Sequence, residues 1–200
     1  ILTPDEKIRI GVVHNAWQKE LQVREYSLPE VGMEFAQLNA PVRSSKAFEI
    51  TNTGNWSAKS YIPMGYVRNT ETGSRLFWQI EHNGSWHWEV SDFTNHLYVQ
   101  LSGPTEQQSH WFKDLKPGDK FVTVPAGVGA VTGDLGNMAK ELTKYRRALR
   151  RENQDNEKLG VIFNDYMNCL WADPTTEKEF PLIDAAAKAG CEYFCIDAGG

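Results

Sequence analysis

The sequence predicts a chain of two structural characters, antiparallel β followed by α/β, and three observations predict it. Up to about residue 130, short segments rich in Val, Ile, Phe, Trp and Tyr alternate with Gly, Asn, Pro and Asp clusters, without a sustained 3.6-residue repeat. After Gly133 an amphipathic helical pattern begins. From Gly160 onward, a short apolar strand, a helix and a second apolar strand follow one another, the order of a βαβ unit.

In the β region the plainest signal is Leu76-Phe77-Trp78-Gln79-Ile80-Glu81-His82, then Asn83-Gly84, then Ser85-Trp86-His87-Trp88-Glu89-Val90. Asn-Gly is the favoured pair for a two-residue type I′ turn, whose central positions both need φ > 0. The pattern predicts a hairpin with Glu81 facing Trp86 and Gln79 facing Trp88, and Ile80 and His87 on the other side. Lys116-Pro117-Gly118-Asp119 has Pro and Gly where a type II turn requires them. It is predicted to join a strand over Trp111–Leu115 to one over Lys120–Val124. Short strands at this spacing predict a sandwich.

Leu135, Met138, Leu142, Tyr145 and Leu149 recur at three and four residues and predict a helix of about four turns. Lys140, Lys144, Arg146, Arg147, Arg150 and Arg151 occupy its other side, read as a solvated face with cations favourably near the C-terminus. Glu152 to Lys158 are polar throughout and read as a connection. Val161-Ile162-Phe163 opens the next strand. Asp173-Pro174 is placed to start a helix, with an acceptor at N-cap and proline at N1. Pro181 predicts a kink or a wide first turn, and Gly190 a left-handed C′. Cys191 to Ile196 form the second strand, parallel to the first. A parallel pair needs cover on both faces, so the chain is expected to stop inside a second domain whose last strand has an aggregation-prone edge.

Composition narrows the function classes. The 200 residues are 40% hydrophobic and include 23 aromatics (7 Trp, 7 Tyr, 9 Phe), more core than a disordered chain carries. No run approaches the roughly 18 apolar residues of a membrane span. A net charge of −5 argues against a nucleic-acid backbone or an anionic membrane as the main partner. No signal peptide is visible from Ile1. Cys169, Cys191 and Cys195 are read as reduced thiols of a cytoplasmic protein, the last two about 13 Å apart if both lie on one strand. The histidines are scattered, so neither a zinc site nor any other metal is expected.

Ligands of parallel α/β folds sit at the C-terminal ends of the strands. The first strand ends in Asn164, Asp165, Tyr166, Met167 and Asn168, and the second in Asp197. Asn and Asp supply donors and acceptors for hydroxyls, and Tyr166 supplies a flat apolar face. The alternative is that Asp165 and Asn168 cap the loop and Asp197 binds loop amides. Neither strand end offers a nucleophilic Ser or Cys with a partner base.

The runs Gly160–Asn168, Pro174–Lys178 and Tyr193–Gly199 resemble glycoside hydrolase family 36, the α-galactosidase and α-N-acetylgalactosaminidase family. Upstream, His14–Gln18, Ile80–Trp86 and Phe121–Ala126 resemble the same family's N-terminal β-supersandwich. The resemblance implies the C-terminal part of a supersandwich over 1–133, a connecting helix and linker over 134–158, and the first β/α/β of a (β/α)₈ barrel over 159–200. It implies that Asp197 matches the first aspartate of an Asp-Asp-Gly-Trp motif that binds sugar hydroxyls. Tyr166 falls where many members place Trp against the sugar, and Asn164 and Asp165 match a polar pair of the same pocket. Ala198 stands in place of a second aspartate and Gly200 in place of Trp, which alters the pattern that reads galactose.

Retaining hydrolysis by a nucleophile and an acid/base is the family chemistry. Both carboxylates are implied to lie on later barrel strands, so no catalytic residue is expected within these 200 residues. The implied partner is an α-galactoside, with no cofactor and with homo-oligomers when full length. Two alternatives stand beside this reading. One is a non-catalytic carbohydrate-binding sandwich with Trp86 and Trp88 as a stacking platform. The other is transglycosylation of the raffinose-synthase kind, for which the same residues would serve.

Overall fold

The computed structural model describes residues 7–33, 46–93 and 96–197. The protein is sheet-rich with some helices: among the described residues there are ten strands and four α-helices. Two compact units, Ile1–Arg147 and Ala148–Gly200, divide the chain.

In the first unit, β1 (Ile8–His14), β2 (Gln22–Ser27), β4 (Tyr61–Asn69), β5 (Ser74–Ile80) and β8 (Ala126–Thr132) form an antiparallel sheet in the order β2-β1-β4-β5-β8. A second antiparallel sheet has the order β3-β6-β7, with β3 (Phe48–Asn52), β6 (Trp86–Phe93) and β7 (His96–Ser102). Ile10, Val12, Trp78 and Ile80 of the larger sheet share one core with Ile50, Trp86, Trp88 and Val90 of the smaller. The Trp78 and Trp88 rings meet edge to face at 5.2 Å.

That core explains why the expected hairpin is absent. β5 pairs with β4 and β8, whereas β6 pairs with β3 and β7, so Asn83-Gly84 carries the chain from one sheet to the other. Neither Asn83 nor Gly84 has positive φ, so no type I′ turn forms. A hairpin would set Gln79 and Glu81 against Trp88 and Trp86. The sandwich instead buries Trp78, Trp86 and Trp88 together, and each buried aromatic contributes on the order of 2–3 kcal/mol. Three such side chains outweigh a local turn preference. Trp86 and Trp88 are both 0% exposed, which removes the stacking platform: no sugar face can reach them.

The type II turn does form at Lys116–Asp119, with Gly118 at φ +94° and the Asp119 N–H donating to the Lys116 carbonyl at 2.9 Å. The strands expected on its two sides do not form. Val124 packs against the sandwich core, but Leu115, Phe121 and Val122 remain exposed, so this stretch buries too little to offset the cost of ordering it as strands. A tilted Trp111–Phe121 ring contact at 5.6 Å links its arms. Before it lies a one-turn helix, α1 (Glu106–Ser109), capped by Thr105.

The periodic segment after Gly133 is helical as expected: α2 (Leu135–Leu149) buries Met138 and Leu142. Its start is fixed by reciprocal bonds, Asn137 N–H to Asp134 Oδ1 at 2.9 Å and Asp134 N–H to Asn137 Oδ1 at 3.4 Å. Met138 and Leu142 pack with Val13, Met64, Tyr66 and Phe77 on the outer face of the five-stranded sheet. Tyr145 reaches Glu81 Oε1 at 2.5 Å and Arg146 reaches Gln79 Oε1 at 3.1 Å. Part of the basic face thus ties the helix to β5.

In the second unit, α3 (Gln154–Lys158) is followed by β9 (Ile162–Asn164), a π-helical turn (Tyr166–Leu170), α4 (Thr176–Lys188) and β10 (Tyr193–Cys195). β9 and β10 are parallel, with Phe163 opposite Phe194 and their rings stacked at 5.2 Å. α4 begins two residues later than expected. Thr175, not Asp173, is its N-cap, and the Thr175 carbonyl accepts the Lys178 and Glu179 N–H groups. Asp173 instead pairs with the Lys178 ammonium. α4 runs unbroken through Pro181, whose fixed φ suits the helix and which forfeits one backbone bond. Gly190 closes it at φ +88°, with Gly190 N–H to Ala187 O and Cys191 N–H to Ala186 O, both 3.0 Å, the paired bonds of a Schellman motif. Cys169, Cys191 and Cys195 are free thiols, and Cys191 lies ahead of the strand rather than on it. Among the described residues no helix is long and apolar enough to cross a membrane.

Candidate functional site

The parallel register sets the candidate site. Cys195 lies opposite Asn164, so β9 and β10 end side by side and the residues just beyond them are neighbours. Asn164 Nδ2 donates to Asp197 Oδ2 at 2.8 Å. Its Oδ1 accepts the Tyr166 N–H at 2.9 Å, which turns the chain sharply at the end of β9. One side-chain amide therefore orients both the Asp197 carboxylate and the backbone that carries Tyr166. The second amide hydrogen of Asn164 is a further donor beside that carboxylate.

Tyr166 is half-buried and meets Trp171 edge on, with ring centroids 5.9 Å apart. Trp171 closes the π-helical turn in a left-handed conformation at φ 50°, its N–H bound to the Tyr166 carbonyl at 3.0 Å. Met167, Asn168 and Trp171 are exposed along the same turn. An aromatic ring thus stands directly after the Asn164–Asp197 pair.

Asp165 has a different place. It is 1% exposed, and its Oδ1 accepts the backbone N–H of Asp197 at 2.8 Å. Its own N–H donates to the Cys195 carbonyl at 3.2 Å, extending the β9–β10 ladder by one residue. The Asp165 side chain does not cap the turn; its carbonyl accepts from Leu170 N–H at 2.8 Å. Asp165 therefore supports Asp197 from below rather than standing open beside it.

The structure brings together all four residues singled out in the sequence: Asn164, Asp165, Tyr166 and Asp197. It adds Glu179, on the first turns of α4, buried at 6% exposure against Asp165. Burial and the facing Asp165 carboxylate hold the Glu179 carboxyl above the usual carboxylate range. A signal for it exists in the sequence: Glu179 precedes Leu182, Ile183 and Ala186 by three, four and seven residues, so it lies on the apolar stripe of its helix.

In chemical terms the site offers one oriented carboxylate, one amide and one aromatic ring at a strand end, a set suited to binding a polyhydroxylated ring. Among the described residues, no three His, Cys, Asp or Glu side chains converge as a metal site requires. Ala198 and Gly200, which carry the departures from the Asp-Asp-Gly-Trp pattern, lie outside the described residues, as does Gly199. No protein-family model and no curated protein matches the chain.

Proposed function

We propose that the chain is part of a retaining glycoside hydrolase acting on terminal α-galactosides, and that its second unit supplies sugar-binding rather than bond-breaking residues. In this reading residues 1–133 belong to a β-supersandwich, 134–158 connect, and 159–200 open a (β/α)₈ barrel. The observation that carries it is the Asn164–Asp197 bond of 2.8 Å at the shared C-terminal end of two parallel strands, with the Tyr166 N–H held by the same Asn164. Barrels bind their ligands at that end. A carboxylate with one oxygen pinned by an amide presents a fixed acceptor direction to a hydroxyl pair, and a tyrosine ring gives the apolar face of a hexose a surface to lie on. The β9, α4, β10 sequence is the unit that such a barrel repeats.

Retention of configuration requires two carboxylates about 5–5.5 Å apart, one as nucleophile and one as acid/base. The reading assigns both to later strands. Asp197 and Asn164 then fix the hexose so that its anomeric carbon meets them.

The test is hydrolysis of 4-nitrophenyl α-D-galactoside and its N-acetylgalactosamine analogue by the complete gene product and by the 200-residue chain. Turnover by the complete product alone, with KM raised in Asp197→Ala, is the expected result. Absence of turnover of both substrates by a folded complete product overturns the reading. Turnover by the 200-residue chain itself overturns the assignment of its role to binding alone.

A further inference from the structure

We infer that Glu179 is a positioning residue: it shares one proton with Asp165, and the pair braces the Asp197 backbone and so the direction of the Asp197 carboxylate. The link from that carboxylate to a sugar rests on the reading proposed above; the brace itself does not.

Asp165 and Glu179 are 1% and 6% exposed. Asp165 Oδ1 is used by the Asp197 N–H at 2.8 Å. Asp165 Oδ2 and both carboxyl oxygens of Glu179 receive no N–H or O–H from the described residues. Three buried acceptor oxygens on two adjoining acids cannot all be anionic, because like charges repel and neither is solvated. One proton resolves this. Carried by Glu179, it forms an O–H···O⁻ bond to Asp165 Oδ2. Asp165 then keeps its charge and holds the Asp197 N–H by a charge-assisted bond.

Burial and Asp165 are what raise Glu179, which places the proton on the helix side. The other titratable groups on the packed elements are Tyr193 and Cys195 on β10, Asp197 just beyond it, Tyr166 and Cys169 on the π-helical turn, and Glu177, Lys178, Asp184 and Lys188 on α4. Asp197 accepts from Asn164 and Lys178 is paired with Asp173; none of the nine contributes to the shift of Glu179.

Loss of the proton to solvent leaves two facing charges. Asp165 swings away from Glu179, and the Asp197 N–H loses its acceptor. The site is therefore ordered while Glu179 holds its proton and loosened as Glu179 ionises.

The experiment follows the ¹⁵N-labelled chain by NMR from about pH 5 to pH 9, reading the Asp197 amide shift and its hydrogen exchange in wild type, Glu179→Gln and Glu179→Ala. In wild type the Asp197 amide is expected to move with a midpoint above the ordinary carboxylate range. Glu179→Gln donates its amide to Asp165 without titrating, so it keeps the low-pH position throughout. Glu179→Ala, if folded, lacks that position at every pH; if it does not fold, the glutamine variant decides alone.

A flat wild-type profile, or one that Glu179→Gln reproduces, overturns the brace. D-galactose titrated into the same samples gives the second arm, with affinity expected to fall about fivefold on ionisation, the size of one lost hydrogen bond, and to stay constant in Glu179→Gln. A responsive amide without galactose binding upholds the brace and counts against the sugar reading. Galactose binding with an unresponsive amide does the reverse.

Discussion

Asn164 and Asp197, thirty-three residues apart, are joined by a 2.8 Å amide–carboxylate bond because β9 and β10 end in register. The bond is a direct consequence of parallel pairing, since an antiparallel partner would end at the opposite edge of the sheet. Replacing Asn164 by Asp keeps the shape and puts two carboxylates in contact. Like charges raise the pKa of the pair, so the folded state binds protons more readily than the unfolded one. The variant's stability deficit should be about 1 kcal/mol near neutral pH and should vanish as pH falls below the ordinary carboxylate value. Urea midpoints at several pH values check this. A deficit that stays constant with pH would mean that residue 164 does not face Asp197.

Trp86 and Trp88 are equally buried but differ in one hydrogen bond. Trp86 Nε1–H donates to the Ser57 carbonyl at 2.7 Å, whereas Trp88 Nε1–H has no partner among the described residues. Replacement by Phe removes similar volume at both sites. Trp86→Phe also breaks a bond and leaves the Ser57 carbonyl without it, so it should cost about 1 kcal/mol more than Trp88→Phe. Alanine at either site should cost roughly 3–5 kcal/mol. Equal costs for the two phenylalanine variants, measured by denaturant unfolding, would argue that the Ser57 bond contributes nothing net.

The elements that could be read in the sequence are those whose cause is local. α2 follows from the spacing of Met138 and Leu142, the turn at Gly118 from its need for φ > 0, and the end of α4 from Gly190. The segments that misled were decided at long range. Asn83-Gly84 carries a strong turn preference, yet the burial of Trp78 opposite Trp88 places β5 and β6 in different sheets. Leu115 and Val122 have strand-forming residues around them but no neighbour to pair with. In the candidate site, Asn164, Asp165, Tyr166 and Asp197 were accessible because strand ends can be located. The place of Glu179 on the apolar stripe of α4 is legible, but its meeting with a buried Asp165 is not, because the stripe does not say which strand-end residue it packs against.

Gly11 has no side chain because Tyr66 fills its space: a Cβ there would stand 2.2 Å from the Tyr66 ring. Tyr66 is 0% exposed and holds the outer core beneath Met138 and Leu142. Gly11→Ala must displace that ring, and overpacking of this kind costs about 1–3 kcal/mol. The double variant Gly11→Ala, Tyr66→Leu should cost less than the sum of the two singles, because the smaller side chain vacates the clash. Additive costs would show that the strain is relieved elsewhere.

Glu25 ties β2 to β4 and supplies the clearest acid-side pH dependence. Arg68 donates to it through Nε at 2.9 Å and Nη2 at 2.5 Å, and the Tyr66 hydroxyl at 2.9 Å. Partial burial works against the Glu25 charge, but these hydrogen bonds and the positive charges of Arg68 and Arg75 outweigh it and hold the carboxyl below its usual range. The neighbouring Tyr66 hydroxyl is pushed up by burial and by Glu25, so it stays a neutral donor. A carboxyl depressed in the folded state takes up its proton more readily when unfolded. Its stabilisation is therefore complete above the unfolded value of about 4.3 and is lost as pH falls through the lower folded value. Glu25→Gln should cost about 1–3 kcal/mol at pH 7, since it leaves Arg68 with a weaker acceptor and Arg75, itself only 7% exposed, without a counter-charge. The gap between wild type and Glu25→Gln should close as pH falls through the depressed folded value. A gap that persists unchanged in acid, read from urea midpoints of the two proteins side by side, would mean that shape rather than charge at position 25 holds the two strands.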